Sequence, residues 1–331
     1  MKVADMHCDT ISEIFYGQRD GKDIGLKSNN LHLDLIKMQK ADYLVQNFAM
    51  FVSLKEYDNP LEHCLKLIDL FYKELHKNQD NIALALNYED IIRNQQAGKM
   101  SALLTIEEGG VTKCELAHLR NFYRLGVRML TLTWNYENGI GYPNFKLIEG
   151  EKPDFQSPNT KDGLTEFGIR FIQEMESLGM IIDVSHLSDA GFYQVLENTK
   201  KPFVASHSNA RGVCNHVRNL SDGMIRKLAE RGGVMGLNYC PSFLQYVADE
   251  KDAVGTISSI VDHIKYITSV GGYECLGLGS DYDGIPVHKD MPDASYLPRL
   301  AEALEKEGFK QHEIEAFFYK NVMRLYKDVL K

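Results

Sequence analysis

The sequence predicts an α/β protein in which parallel strands and helices alternate and close into a (β/α)8, TIM-like barrel. Short apolar runs alternate with helical patterns through at least seven β-then-α units, and this order is typical of parallel strands joined by helical crossovers. A doubly wound open sheet is the alternative, but the first strand is not followed by Gly-x-Gly-x-x-Gly, and there is no Walker A loop. Residues 1–331 are expected to form a single domain, a usual length for one barrel.

Each predicted strand is a short apolar run that ends in polar or glycine residues. The strands are expected at residues 3–7, 43–52, 102–107, 127–133, 180–184, 203–205, 234–238 and 275–279, with a short extra strand at 82–86. Helices are assigned where apolar residues recur every three or four positions. They are expected at residues 33–40, 60–76, 88–96, 116–125, 164–178, 189–198, 221–231 and 256–270, followed by two C-terminal helices within about 294–329.

The longest irregular segment covers residues 135–163 and is rich in Asn, Gly, Pro, Asp and Lys. Loops of this length inside a compact domain are usually functional. We therefore expect this segment to be a lid or a binding loop.

Composition narrows the classes of partner. The net charge is −9 without a basic block, so nucleic acid is not expected as a partner. No apolar run reaches the length of a membrane span, and the first residues lack the apolar core of a signal peptide. The six cysteines are scattered without a Cys-x-x-Cys pair, which favours a reducing cytoplasm over a disulfide framework.

Polar residues recur at one place in each unit, the carboxyl end of the strand. They are His7 and Asp9, Glu108, His186, His207 and Asp281. Taken singly, each has a structural explanation: a frayed terminus, a solvated turn residue (as expected for Glu107), a buried core histidine or a helix cap. Their coincidence at equivalent strand ends is harder to explain in this way, because those ends meet at the mouth of a barrel, where active sites lie.

Three histidines, one aspartate and one glutamate form a ligand set that zinc accepts without thiolates. Five ligands are too many for one tetrahedral ion with an open position. They suit two ions roughly 3.5–4 Å apart with a bridging carboxylate and a bridging hydroxide. Asp281 is then placed to accept and donate the proton of that water.

Arg218 lies in a loop after the predicted strand at 203–205. A planar guanidinium at the barrel mouth suits bidentate recognition of a carboxylate. The alternative is a surface arginine that pairs with an acidic neighbour.

At this point the residues resemble the renal (membrane) dipeptidases, dinuclear zinc peptidases with an amidohydrolase-like barrel. The resemblance covers nearly the whole chain in order. It rests on Asp5-Met6-His7-Cys8-Asp9-Thr10, Glu108-Gly109-Gly110, Leu130-Thr131-Leu132-Thr133, Gly163-Leu164-Thr165-Glu166-Phe167-Gly168, Asp183-Val184-Ser185-His186, Ala205-Ser206-His207-Ser208, Val217-Arg218-Asn219 and Gly279-Ser280-Asp281-Tyr282-Asp283-Gly284.

The resemblance implies a role for each matching residue. His7 and Asp9 would bind one zinc ion, His186 and His207 the other, and Glu108 would bridge the two. Asp281 would handle protons, Arg218 would hold the C-terminal carboxylate of the substrate, and Tyr239 would line the pocket. These roles are expectations for the structure to test.

One departure from the family is Trp134, which stands where the family commonly has a histidine after Leu-Thr-Leu-Thr. Tryptophan donates one N–H and cannot carry a proton. The substrate range is therefore not fixed by the family resemblance at this position.

We therefore expect a cytoplasmic, zinc-dependent dipeptidase that cleaves short peptides with a free carboxylate by a metal-bridging hydroxide. A homodimer is a further expectation. A related barrel amidohydrolase acting on a cyclic amide, lactone or N-acyl amino acid is the nearest alternative. A non-catalytic binding scaffold is the alternative from a different class.

Overall fold

Nine parallel strands form the centre of the computed structural model, which describes residues 1–145, 154–247, 252–286 and 288–331. The strands are β1 (Val3–Asp5), β2 (Tyr43–Phe51), β3 (Ile82–Leu84), β4 (Met100–Glu107), β5 (Val127–Thr131), β6 (Ile181–Asp183), β7 (Val204–Ala205), β8 (Val234–Leu237) and β9 (Leu276–Leu278). Eight of them follow one another in the order β2-β1-β9-β8-β7-β6-β5-β4, and the pairing of β2 with β4 closes the ring. This closed barrel confirms the predicted fold.

The extra strand β3 lies outside the ring. It pairs in parallel with the first residues of β4, from Ile82 opposite Met100 to Leu84 opposite Ala102. The other side of β4 pairs along its length with β2. The strand predicted at 82–86 is therefore an appendage of the barrel.

Helices surround the barrel and connect the strands. They are α1 (Thr10–Arg19), α2 (Leu35–Lys40), α3 (Pro60–Lys77), α4 (Tyr88–Gln96), α5 (Leu116–Arg124), α6 (Glu166–Leu178), α7 (Asp189–Asn198), α8 (Asp222–Glu230), α9 (Pro241–Leu244), α10 (Ile257–Gly271), α11 (Leu297–Lys306), α12 (Gln311–Glu315) and α13 (Asn321–Val329). A π-helical turn, Ala316–Lys320, joins α12 to α13. The short helix α9 and the longer α1 were not predicted from the sequence, and α1 carries part of the site described below.

Side-chain caps define where several connecting helices begin. The hydroxyl oxygens of Thr165, Ser188, Ser221 and Thr256 accept a backbone N–H from the third residue of α6, α7, α8 and α10, respectively. Such caps satisfy donors that the first helical turn leaves unpaired. They therefore help to fix the residue at which each of these helices begins.

The amino end of the barrel is filled and closed. Apolar side chains from the strands, such as Ala4 and Leu103, form one buried cluster with Val322 and Leu325 of α13. The hydroxyl of Tyr326, also on α13, donates a 2.7 Å hydrogen bond to Asn47 of β2. The last helix therefore seals the amino end of the barrel.

The irregular segment at 135–163 is partly described. Isolated bridges join Gly141 to Leu164 and Pro143 to Leu187, so its flanks pack beside the carboxyl ends of the strands. Residues 146–153 lie outside the described residues. Its role as a lid stays a prediction. In the part of the chain that the structure describes, no helix is both long and apolar enough to cross a membrane.

Candidate metal centre and active site

A cluster of buried histidines and carboxylates lies at the carboxyl ends of five barrel strands. Its members are His7 and Asp9 after β1, Glu107 at the end of β4, His186 after β6, His207 after β7 and Asp281 after β9. All six are buried or nearly so. The barrel therefore brings together five of the six residues that the sequence placed at its mouth, and Glu107 takes the place expected for Glu108.

Glu107 is the centre of this cluster because its two oxygens face different histidines. Oε2 lies 3.2 Å from Nε2 of His7. Oε1 lies 3.0 Å from Nε2 of His186 and 3.4 Å from Nε2 of His207. One carboxylate thus spans two groups of ligand atoms, which is the arrangement of a ligand shared by two ions.

Asp9 and Asp281 complete the group around His7. Nε2 of His7 lies 3.4 Å from Oδ2 of Asp9 and 3.8 Å from Oδ1 of Asp281. Two sets of three residues have ligand atoms within 4.8 Å of one another, and His7 belongs to both: one set adds Asp9 and Asp281, the other Glu107 and His207.

Glu108 does not join the cluster, which corrects the prediction that it bridges two ions. Its Oε2 accepts the backbone N–H of Trp134 at 3.1 Å, and its Oε1 accepts the N–H of Gly110 at 2.7 Å and a hydrogen bond from the Asn138 amide. Successive side chains of a strand point to opposite sides. Since Glu107 ends β4 facing the histidines, Glu108, at a φ of 105°, turns away towards the following segment.

The histidine rings are oriented by hydrogen bonds to their second nitrogens. Nδ1 of His186 lies 2.9 Å from the side-chain oxygen of Asn135, an acceptor. Nδ1 of His207 lies 2.8 Å from the hydroxyl of Ser206, which itself donates to Asp183 at 2.6 Å. These contacts place the proton on Nδ1 and leave the lone pair of Nε2 pointing into the cluster, the tautomer that a metal ligand needs.

The pKa values of two of the three histidines match this assignment. Burial alone would lower the pKa of His7, but the neighbouring carboxylates raise it well above its ordinary value. Burial lowers the pKa of His186 to about 4, with a further contribution from Arg218, so its ring is neutral near pH 7. Burial also holds the pKa of His207 well below the ordinary value. Burial alone would raise the pKa of Glu107, but His7 and the other two histidines hold it well below its usual range.

In contrast to Glu107, the carboxyls of Asp281 and Asp9 have raised pKa values. Burial raises the pKa of Asp281 to about 8. His7 opposes this shift, while the nearby carboxylates of Asp9 and Glu107 add to it. Burial also raises the pKa of Asp9 to about 6. Asn238, which the sequence reasoning did not identify, donates to Oδ2 of Asp281 at 2.8 Å and fixes its orientation.

These residues fit divalent cations. Nδ1 of His7 and Oδ1 of Asp9 are buried without a hydrogen-bond partner in the part of the chain that the structure describes. Leaving such groups unpaired is unfavourable, and metal coordination is one of the few ways to satisfy them. The donors are nitrogen and oxygen atoms only, which suits zinc and several other first-row metals.

Arg218 lies beside the cluster and is 4% exposed. Its guanidinium donates to the backbone oxygen of His207 at 3.2 Å and contacts the Ser208 hydroxyl at 3.5 Å, while Nε has no partner among the described residues. It lines the cavity of about 340 Å³ above the cluster. A buried cation with an unused donor at this place can bind a carboxylate.

Trp134 lines the cavity as expected, but Tyr239 does not. Trp134 packs edge-on against Phe51, with ring centres 4.9 Å apart, and both line the cavity. Tyr239 is fully buried and packs against Tyr282, while Cys240 and Phe243 line this part of the cavity. The structure therefore does not support the expectation that Tyr239 lines this cavity.

A parallel barrel with a shared carboxylate between two histidine-containing ligand sets defines the class of metal-dependent hydrolases. Comparison with known proteins identifies the family: the profile of the membrane dipeptidases, peptidase family M19, matches residues 1–331. The chain belongs to this family.

Individual relatives agree with this membership. The chain is similar to an uncharacterised dipeptidase of Schizosaccharomyces pombe, with 33% identity over 311 residues that cover 89% of this chain and 72% of that protein. It is also similar to dipeptidase 3 of Mus musculus, with 31% identity over 76% of this chain and 53% of the relative.

Among solved structures, the fold matches a metallopeptidase of Rhodobacter sphaeroides bound to a phosphinate mimic of the dipeptide L-Ala-D-Ala. The TM-score is 0.89 at 23% identity, over 99% of both chains.

Proposed function

We propose that this protein is a zinc-dependent dipeptidase that holds two ions per chain and cleaves dipeptides with a free C-terminal carboxylate. The observation that carries the proposal is the position of Glu107 between two sets of ligand atoms, with Arg218 on the wall of the same cavity. Membership in the family supports the reaction class.

The residues would divide the work as follows. His7 and Asp9 would hold one ion, His186 and His207 the other, and Glu107 both. Bound ions of this kind lower the pKa of water and polarise a carbonyl. Asp281 would accept the proton of the attacking water and deliver it to the leaving amine, which requires its carboxylate form first. Trp134 would form an apolar wall and could not exchange protons.

Arg218 would fix the C-terminal carboxylate, and this role explains a preference for short substrates. A paired charge in a buried site contributes more than a neutral hydrogen bond. The positioned carboxylate would hold the scissile bond over the metal cluster, since Arg218 contacts the backbone of the ligand His207.

Metal content and dipeptide hydrolysis should be measured on one preparation before and after chelation. About two zinc ions per chain, with activity lost on chelation and restored by zinc, is the expected result. Two ions without turnover of any dipeptide would reject the substrate class while retaining the metal site.

Arg218→Ala tests substrate recognition. We expect kcat/KM for a dipeptide to fall about 10- to 100-fold, while the wild-type preference for the dipeptide over its C-terminal amide disappears. Arg218→Lys keeps the positive charge but not the bidentate geometry of the guanidinium, and should retain part of that preference. An enzyme for uncharged lactones would show no preference to lose, so this measurement also separates the alternative activity.

We also propose a cytoplasmic location. All six cysteines are free thiols, which is usual in a reducing compartment. A homodimer is our expectation for the assembly, and light scattering on the purified chain tests it.

A further inference from the structure

A second, polar cavity adjoins the active site. It has a volume of about 690 Å³, compared with about 340 Å³ for the active-site cavity. The two share one wall, formed by Glu13 of α1 and by Asp283, Gly284, Ile285 and Pro286 after β9. Glu13 therefore borders both the active-site cavity and the second cavity.

Glu13 is the charged group of this wall that lacks a direct partner. It is partly buried, and its carboxylate has no hydrogen-bond or ion-pair partner within residues 1–145, 154–247, 252–286 and 288–331. Burial and the neighbouring Asp283 raise the pKa of Glu13, against an opposing effect of Lys22. A cationic group placed next to it would relieve this unfavourable environment.

Ser12 provides an independent sign of a missing polar partner. It precedes Glu13 on α1, lines the active-site cavity and is only 2% exposed. Its hydroxyl has no hydrogen-bond partner in the described part of the chain. Buried hydroxyls are normally paired, so this one fits an acceptor for a donor group of a bound ligand.

The other charges of the second cavity are already engaged. Asp283 accepts hydrogen bonds from the Thr10 hydroxyl at 2.5 Å and from the backbone N–H of His32 at 2.6 Å. Lys37 donates to Asp34 at 2.8 Å and to two backbone oxygens. Glu13 is therefore the carboxylate of this cavity that makes no direct hydrogen bond or ion pair in the described part of the chain.

The barrel order tells which half of a substrate would meet Glu13. Arg218 follows β7 and Glu13 follows β1, and these strands are separated by three steps around the ring of eight. With the C-terminal carboxylate on Arg218, the amino-terminal residue points across the metal cluster towards α1.

Resting on the proposed dipeptidase function, we propose that Glu13 and the second cavity form a subsite for a positively charged side chain on the first residue of the dipeptide. The ligand chemistry is a primary amine or a guanidinium on a flexible chain, as in lysine or arginine. Ser12 would accept a hydrogen bond near the base of this side chain, and Glu13 would pair with its charge.

The test compares kcat/KM for Lys-Ala, norleucine-Ala, Glu-Ala and Ala-Ala. Norleucine matches the aliphatic chain of lysine without the charge. In the wild type, Lys-Ala should exceed norleucine-Ala by about fivefold to tenfold, since an ion pair in a partly open site is weakened by solvent. Glu13→Gln should bring this ratio close to one, and Glu13→Lys should favour Glu-Ala. Glu62→Gln, on the exposed face of α3, should keep the wild-type ratio.

The possible failures are distinguishable. If Ala-Ala and norleucine-Ala are hydrolysed but Lys-Ala has no advantage, or if Glu13→Gln keeps that advantage, the subsite assignment is wrong and the dipeptidase function stands. If the zinc-loaded wild type hydrolyses none of the four dipeptides, the proposed function fails and the subsite with it.

Discussion

Glu107 and Glu108 are adjacent, yet only one of them faces the metal centre. Glu107 points into the barrel between three histidines, while Glu108 is held by the backbone of Trp134 and Gly110 and by Asn138. Asn138 and Trp134 flank the residue that orients His186, Asn135. Glu108 therefore supports the segment that positions His186, while Glu107 is placed to bind the ions itself.

Paired substitutions of the two glutamates test this division. Glu107→Gln should abolish the tight binding of two ions and lower kcat/KM by at least about 1,000-fold, because a neutral amide cannot replace a shared carboxylate. Glu108→Gln exchanges an acceptor oxygen for a donor where three N–H groups converge. It should destabilise the fold by about 1–3 kcal/mol and lower metal affinity or activity about 10- to 100-fold at most.

Metal analysis of the two purified variants, together with their urea unfolding midpoints, distinguishes the loss of a metal ligand from the loss of a structural hydrogen-bond acceptor. A Glu107→Gln protein that retains two ions, or a Glu108→Gln protein that retains none while folded, would contradict the assignment.

At the residue scale, the sequence indicated most of the cluster but not its central ligand. Histidines and aspartates at strand ends are visible because few other roles explain them at equivalent positions. Whether Glu107 or Glu108 faces inwards depends on strand register, and a shift of one residue exchanges the two faces. Asn135 and Asn238 could not be recognised, since their roles arise only from contacts across the barrel mouth.

Two buried aspartates join neighbouring elements at this mouth. Asp5 accepts the backbone N–H groups of His7 and Ser280, and so connects the end of β1 to the residues after β9. Asp183 plays the corresponding role at the ends of β6 and β7. Its Oδ1 accepts the N–H groups of Ser185 and Ser206 at 3.0 and 2.8 Å.

Substitution of Asp183 tests how strongly these strand ends depend on it. The other oxygen, Oδ2, accepts the hydroxyls of Thr131 and Ser206, both at 2.6 Å. Asp183→Ala leaves two buried N–H groups unpaired, and each such loss destabilises by about 1–3 kcal/mol. We expect a loss of about 3 kcal/mol or more in the free energy of unfolding of the metal-free protein, measured by urea titration.

Asp183→Asn is the matched control because it keeps one oxygen for the two N–H groups, and hydroxyls can rotate to accept from its amide. Its loss of unfolding free energy should be clearly smaller than that of Asp183→Ala. Equal losses for the two variants would show that the charge of Asp183, rather than its hydrogen-bond acceptors, stabilises the strand ends.

The helix α1 shows why one element was not predicted. Asp9 occupies its N-cap position but makes no side-chain cap hydrogen bond, because its carboxylate faces His7 in the cluster. The segment also contains β-branched and aromatic residues and Gly17, which are weak helix formers. Tertiary contacts, including the burial of Ile11 and Ile14, therefore stabilise a helix that local sequence signals did not indicate.

At the scale of the whole molecule, the closed ring and the sealing helix α13 were predictable to different degrees. Alternating apolar runs and helical patterns were sufficient to predict the barrel. The C-terminal helices were also expected, but their packing under the barrel depends on contacts such as Tyr326 with Asn47. The consequence is a site at the carboxyl end of the barrel in which ionisable groups are buried together.

This burial makes the stability of the metal-free protein depend on pH. The pKa of Asp281 is raised to about 8 and that of Glu108 to about 7. The folded chain thus binds protons that the unfolded chain has released, so stability falls as pH rises through these values. The lowered pKa values of His186 and His207 act in the opposite direction, but only below the ordinary histidine pKa of about 6.5.

We therefore expect chelator-treated protein to lose about 2 kcal/mol of stability between pH 6.5 and pH 8.5 from Asp281 alone, since each pKa unit corresponds to about 1.4 kcal/mol. Zinc-loaded protein should lose much less, because bound cations stabilise the ionised carboxylates that destabilise the empty site. Urea midpoints of both forms at three pH values measure the difference. Asp281→Asn should make the slope of the metal-free protein clearly smaller, and the part carried by Glu108 and His7, whose pKa values are also raised, should remain. If Asp281 carries the raised pKa, the difference in unfolding free energy between zinc-loaded and metal-free protein must increase with pH. A constant difference would mean that Asp281 does not carry it.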